Sequence, residues 1–455
     1  MISNKFLFDK ANQNIGLGAA LPELNITQLS SLATTTSGSL LTVATLAALP
    51  NVVQNLGRLV YVVAENKYYY SDGVTWNINY SSEFTITARL AYGWGTNNAG
   101  EIGDNTSTSR SSPVTVVGGI TNWSQLSGGF NHSLGVTTTG IAYGWGNNFY
   151  GRVGDGTNFN NRLSPVSVVG GITNWSRVAA GGQHSLGLTS TGIAYGWGRN
   201  YAGQLGTGNI TDRLSPVIVV GGITNWSQLA AGASHSLGVT STGIAYAWGD
   251  NNNGNLGDGT SGVGASKSSP VTVIGGITNW TQVSAGAAHS LGLTSTGVAY
   301  AWGYNGTFSG RLGDGTGTNR LSPVSVVGGI TNWSQLSAGR YHSLGLTSTG
   351  IAYAWGSNDN GRLGDGTTTA KSSPVTVIGG ITNWSQLSGG VTFSVGLTGA
   401  GVAYAWGYNG RGNLGDGTTT NRSSPVTVVG GITTWSQLSA GTNQILGVNI
   451  VGKGF

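Results

Sequence analysis

Bulky and small residues alternate in short runs along most of this chain. In "IAYAW" (351–355) Ile, Tyr and Trp point one way and the two Ala the other. In "HSLGL" (342–346) His and both Leu share one face, while Ser and Gly share the opposite face. A period of two predicts β-strands with one bulky and one small face. "GGITN", "TSTG" and a Gly-x-x step punctuate the runs as turns. Four short strands per unit are predicted: "PVTVV", "WSQLSAG", "HSLGLT" and "IAYAWG".

The runs recur. Trp94, Trp145, Trp197, Trp248, Trp302, Trp355 and Trp406 follow one another at spacings of 51 to 54 residues. A second series comprises Trp123, Trp175, Trp226, Trp280, Trp333, Trp384 and Trp435. Seven units therefore occupy residues 84–455. Sheets with one bulky and one small face can stack large into small, and seven around an axis make a β-propeller. The "TSTG"-type turn occurs only six times in the seven units, so one hairpin is cut. Its halves are "QILGVN" (444–449) and "LAYGWG" (90–95). Their pairing is expected to close the ring and leave no open sheet edge.

"GNLGDGT", "SSPVTV" and "AGAAHSLGLTSTGVAYAWG" resemble the regulator of chromosome condensation repeat family across all seven units. The resemblance implies an all-β, seven-bladed propeller with N/C-terminal strand closure. It leaves the function open, because the founding member is a nucleotide exchange factor for a small GTPase and others are inhibitors or adaptors. Exchange activity is not expected here. It relies on a wedge inserted into one blade, and no unit exceeds its neighbours by more than three residues.

The first 83 residues read differently. Residues 1–40 are polar and aperiodic, an extended anchoring arm. Residues 41–83 form a small β-meander module over 56–79, with turns at Glu65-Asn66 and Ser71-Asp72-Gly73. "TVATLAALP" before it is expected as a short helix stopped by Pro50. "RLVYVV" and "YYYSDGVTWN" resemble small modules at the ends of bacteriophage tail-fibre and other virion proteins.

Composition narrows the classes. Charged residues are 8% of the chain and the net charge of +5 is spread thinly, so no nucleic-acid partner is expected. Cysteine is absent, which removes disulfides and thiolate metal sites. No run of 18 apolar residues and no signal peptide is seen, so membrane insertion is not expected. No cofactor or metal is expected either. "DNNNGNLGD" (250–258) has Gly254 where a calcium loop wants Asp or Asn.

The copies also show which positions change. "GGITN" and "TSTG" barely vary, whereas the pair before the His and the loop after W-G vary strongly. Antiparallel parity puts both steady turns at one end, the bottom, and both variable loops at the top. The top carries Phe130, Asn131, Phe149, Tyr150, Arg199, Tyr201, Tyr304, Phe308, Arg340, Tyr341, Tyr408 and Arg411. Variable loops on a rigid scaffold, rich in Tyr and Arg, form the candidate binding face. The His series (132, 184, 235, 289, 342) reads as structural, because one copy accepts Phe393. Asp155 with Arg162, and their equivalents, read as turn-building repeats.

No top loop holds two carboxylates, so a glycosidase is not expected. The leading expectation is a non-enzymatic virion protein, a tail-fibre or capsid appendage on the particle surface. Residues 1–83 would bind other virion proteins and hold a homo-oligomer, and the top would meet a host surface protein or glycan. The alternative is a free protein-binding propeller, an inhibitor or adaptor.

Overall fold

The computed structural model describes residues 88–306 and 309–452, together with the backbone of a few strands outside them. Contacts divide the chain into two units, and the one formed by Leu90–Gly119 and Trp123–Asn449 holds the seven blades. Among the described residues no helix is long and apolar enough to cross a membrane.

Each blade is a four-stranded antiparallel sheet whose strands follow chain order from the axis outward. Blades 1 to 6 span 123–167, 175–218, 226–272, 280–325, 333–376 and 384–427. Blade 7 takes its two inner strands from Trp435–Ala440 and Gln444–Gly454 and its two outer strands from Thr85–Gly95 and Arg110–Thr115. The expected closure is therefore present, with two strands from each end of the repeat array rather than one. The Thr96 amide donates to the Asn443 carbonyl at 2.8 Å. The rings of Trp94 and Trp435 pack with centroids 5.7 Å apart.

The outer strand begins at the basic residue, not at "PVTVV": Arg162–Ser167 pairs back onto the preceding "AYGWG". "GGITN" therefore crosses from one blade to the next. Proline sits on this strand because an outermost strand needs no further amide.

The stacking is large into small, as expected. Leu237, Val239, Ala245 and Ala247 of blade 3 form one buried cluster with Trp280 and Trp302 of blade 4. Glycine makes room for these rings. A Cβ on Gly447 would come within 2.6 Å of the Trp435 ring. The innermost strands line a channel of about 290 Å³. Glutamines there clasp the neighbouring blade: Gln125 accepts from the Val178 amide at 2.8 Å and donates to its carbonyl at 3.0 Å.

In the N-terminal unit, Leu59–Val62, Lys67–Ser71 and Trp76–Tyr80 pair as an antiparallel meander. Thr42–Val43 pairs in parallel with Leu59–Val62. The first residues of the stretch expected as a helix are thus strand, because they add to the meander's edge. The rest of that stretch, and the arm over 1–40, lie outside the described residues.

Candidate binding face

The two variable loops of each blade meet at one end. In every blade the first residue after W-G donates its amide to the carbonyl of the residue before the His, or before Phe393 or Gln444 in its place. Examples are Asn147 to Asn131 at 2.7 Å, Arg199 to Gln183 at 2.9 Å and Ser357 to Tyr341 at 3.0 Å. The steady turns meet at the other end, where the Ser190 amide donates to Asn174 at 2.9 Å.

A buried asparagine holds each loop after W-G: Asn97, Asn148, Asn200, Asn251, Asn305, Asn358 and Asn409 are all fully buried. Asn148 donates to Asp155 Oδ1 at 3.0 Å and accepts from the Val153 amide at 3.1 Å. Asp155 in turn accepts from Arg162 at 2.6 Å. Burial pushes the Asp155 carboxyl up, but bonds from Thr157, Arg162 and Asn148 outweigh it and hold it below the usual range. Reading the loop as wholly variable missed this asparagine. Its presence in all seven copies was the available signal.

On this frame the side chains gather into two clusters. The first lies on blades 1 and 2. Phe149 and Phe159 meet edge to face at 5.2 Å. The guanidinium of Arg199 lies between Tyr150 at 4.6 Å and Tyr201 at 4.5 Å and donates to Gln183. Phe149 is 44% and Tyr201 51% exposed. Tyr150 and Phe159 both have φ of 66°, a left-handed conformation that side chains rarely adopt. Beneath them Arg152 donates through Nε to the Phe149 carbonyl at 3.0 Å. Burial, with Arg199 adding, draws its pKa down to about 10 against the opposing effect of Tyr150.

The second cluster lies on blades 4 and 5. Arg311 stacks on Tyr304 at 4.7 Å and on Tyr341 at 5.4 Å. Arg340 and Arg362 approach the Tyr341 ring at 5.2 and 5.9 Å. Arg340 also lies 4.9 Å over Phe130 of blade 1. Blades 1 and 5 are not neighbours, so this pair spans the mouth of the channel that both residues line.

Asn131 is exposed beside Phe130. Among the described residues, no ring contact or ion pair joins Tyr408 and Arg411 to either cluster, and Phe308 lies outside those residues. Arg152, Arg311, Arg362 and Phe159 were missed by sequence reasoning. The three arginines share a position filled elsewhere by Glu101, Gln204, Asn255 and Asn413, so that position also varies.

The histidines lie below this face, between blades. His132, His184, His235, His289 and His342 each bond through Nε2 to a serine of the next blade, at 2.8–3.0 Å. That serine donates to a loop carbonyl of the histidine's own blade, as Ser236 does to Gln204 at 2.8 Å. A Cβ on Gly232 would sit 2.6 Å from His235 Cε1, which is why a glycine precedes each ring.

The regulator of chromosome condensation (RCC1) repeat matches residues 139–188, 191–239, 242–293, 349–397 and 400–448. A second form of the repeat matches five segments from 123–152 to 333–362. The chain belongs to the RCC1 repeat family. It is 31% identical over 357 residues to the ultraviolet-B receptor UVR8 of Arabidopsis thaliana, covering 75% of this chain and 78% of that protein. It is 33% identical over 256 residues to the human E3 ubiquitin-protein ligase HERC2, covering 55% of this chain but 5% of that one. Among solved structures, human WBSCR16 superposes with a TM-score of 0.70 at 21% identity, covering 80% of this chain and 99% of that one. Saccharomyces cerevisiae Prp20p, described with its binding to Gsp1p and histones, gives 0.70 at 20% identity, covering 81% and 93%. At these identities the structural likenesses speak for the RCC1-type fold alone.

Proposed function

We infer that this RCC1-repeat chain is a non-enzymatic protein-binding propeller that engages its partner through the top face. The observation that carries this reading is the contrast between the two ends. The bottom turns repeat almost unchanged, while the top loops, held by the same backbone bonds, carry different side chains in each blade. Those side chains assemble into Arg–aromatic clusters with exposed rings, the composition that dominates protein interfaces. The relatives lend support: one is a receptor, and Prp20p binds Gsp1p and histones. Nothing in these relatives adds to the reading as a virion appendage.

The full chain, immobilised, tests this by quantitative capture of proteins from its source. A specific partner should be lost with Phe149→Ser plus Tyr201→Ser and kept with Thr173→Ala plus Thr224→Ala at the bottom. Capture that ignores the top changes, or follows the bottom ones, overturns the reading.

A further inference from the structure

Three guanidinium groups, those of Arg311, Arg340 and Arg362, surround the single ring of Tyr341. Arg311 and Arg362 are 7% and 2% exposed. Charged groups this buried are ordinarily matched by carboxylates. Here one carboxylate is in an ion pair with the group among the described residues: Asp359, 3.3 Å from Arg362, its own side chain 80% exposed. The Nε atoms of all three arginines are buried without a hydrogen-bond partner. Arg362 spends one further N–H on the Val391 carbonyl at 3.2 Å. The cluster therefore holds more positive charge and more donors than the described residues satisfy.

Burial lowers the pKa of Arg311, the Tyr304 and Tyr341 rings oppose that, and Arg362 adds to it. Burial likewise lowers that of Arg362, against Asp359 and Tyr341. The site thus carries an electrostatic cost that an incoming anion relieves. The tyrosine ring keeps the guanidiniums apart and oriented, as stacked arginines are for forked carboxylate recognition.

We propose that the surface around Tyr341 takes a carboxylate-rich segment of a protein partner, whose acidic side chains supply the counter-charge missing for Arg311, Arg340 and Arg362. This rests on the protein-binding reading and deepens it, making blades 4 and 5 the anchor for acidic residues. Asp359 acts as an internal competitor, because it occupies part of Arg362.

The test is fluorescence anisotropy of a labelled octaglutamate peptide with the full chain. The wild type should bind, more weakly as salt rises. Arg340→Gln should weaken binding about tenfold, the loss of one charge-assisted contact. Arg177→Gln removes the same charge from the inner strand of blade 2, where the other blades carry Gln, and should change binding less than about twofold. Asp359→Asn should tighten binding about threefold, a gain that a folding defect would not produce. Equal losses for Arg340→Gln and Arg177→Gln overturn the proposal. So does no gain with Asp359→Asn, or displacement of the peptide by inorganic phosphate or polyuridylate at matched ionic strength. If octaglutamate fails while capture still depends on Phe149 and Tyr201, only the acidic preference falls and the wider reading stands.

Discussion

Five seams between blades are closed by a histidine–serine pair and one is apolar. At those five a buried histidine meets a serine of the next blade. At the seam between blades 6 and 7 the same two places hold Phe393 and Ile445, both fully buried in one cluster with Trp94. The seventh seam uses Gln444, which donates to the Gly129 carbonyl at 3.1 Å. At the apolar seam both members change, whereas at the seventh Gln444 replaces the histidine and Ser133 is kept. In the histidine seams Nε2 is hydrogen-bonded while the buried Nδ1 has no partner, so an imidazole facing an apolar group would leave both ring nitrogens without one.

The most severe way to disturb this contrast is to remove residues 444–455. That deletes the strand joining the two ends of the repeat array and exposes open edges in blade 7. Loss of the cooperative thermal transition, with aggregation on size-exclusion chromatography, is the expected result. Next come the tryptophans. Trp302 donates to the Asn255 carbonyl at 3.0 Å across a polar seam, while Trp94, beside the apolar seam, has no partner for Nε1. Trp302→Ala should cost about 3–5 kcal/mol in chemical denaturation. Trp94→Ala should cost about 1 kcal/mol less, since no hydrogen bond is lost with it.

A double-mutant cycle isolates the apolar pair. Phe393→His places an imidazole opposite Ile445 with no hydroxyl to meet it and should cost about 1–3 kcal/mol. Adding Ile445→Ser should recover about 1 kcal/mol of that, read as a coupling energy. Absence of coupling would mean that the seam pairs are independent residues after all.

Acid should weaken the ring through its seams. All five histidines of the chain lie in these seams, and burial holds them far below their ordinary range, His184 at about 3 and His235 at about 4. Unfolded histidine takes up its proton near pH 6.5, which the folded seams refuse. Stability is therefore full above that pH and falls as pH drops through it, levelling only below the folded values. Denaturation midpoints at pH 7.5, 6 and 5 should decline in that order. The slope should be shallower in His235→Phe, which titrates one histidine fewer.

The ring, its closure and the division into steady and variable ends were legible in the sequence because seven imperfect copies expose what each position tolerates. The grouping of strands into blades was not, since "PVTVV" has the same alternation whichever neighbour it joins. The histidine was read as structural because one copy accepts Phe393 and no acidic partner repeats beside it. Its serine partner was overlooked, although Ile445 marks the same exception one blade later. The clusters were half visible. Tyr150, Arg199 and Tyr201 stand in one loop series, but Phe130 and Arg340 are joined only when the ring brings blades 1 and 5 to a common mouth. Arg311 and Arg362 fall just past the loop residues taken as variable, and were not singled out.

The bond that ties the two top loops of each blade uses only main-chain atoms. Every amino acid except proline at the donor supplies them, so a new side chain at Arg199 or Tyr341 leaves the tether intact. Recognition can be rewritten one blade at a time without renegotiating the architecture underneath, and a library confined to these paired positions would sample new specificities on an unchanged chassis.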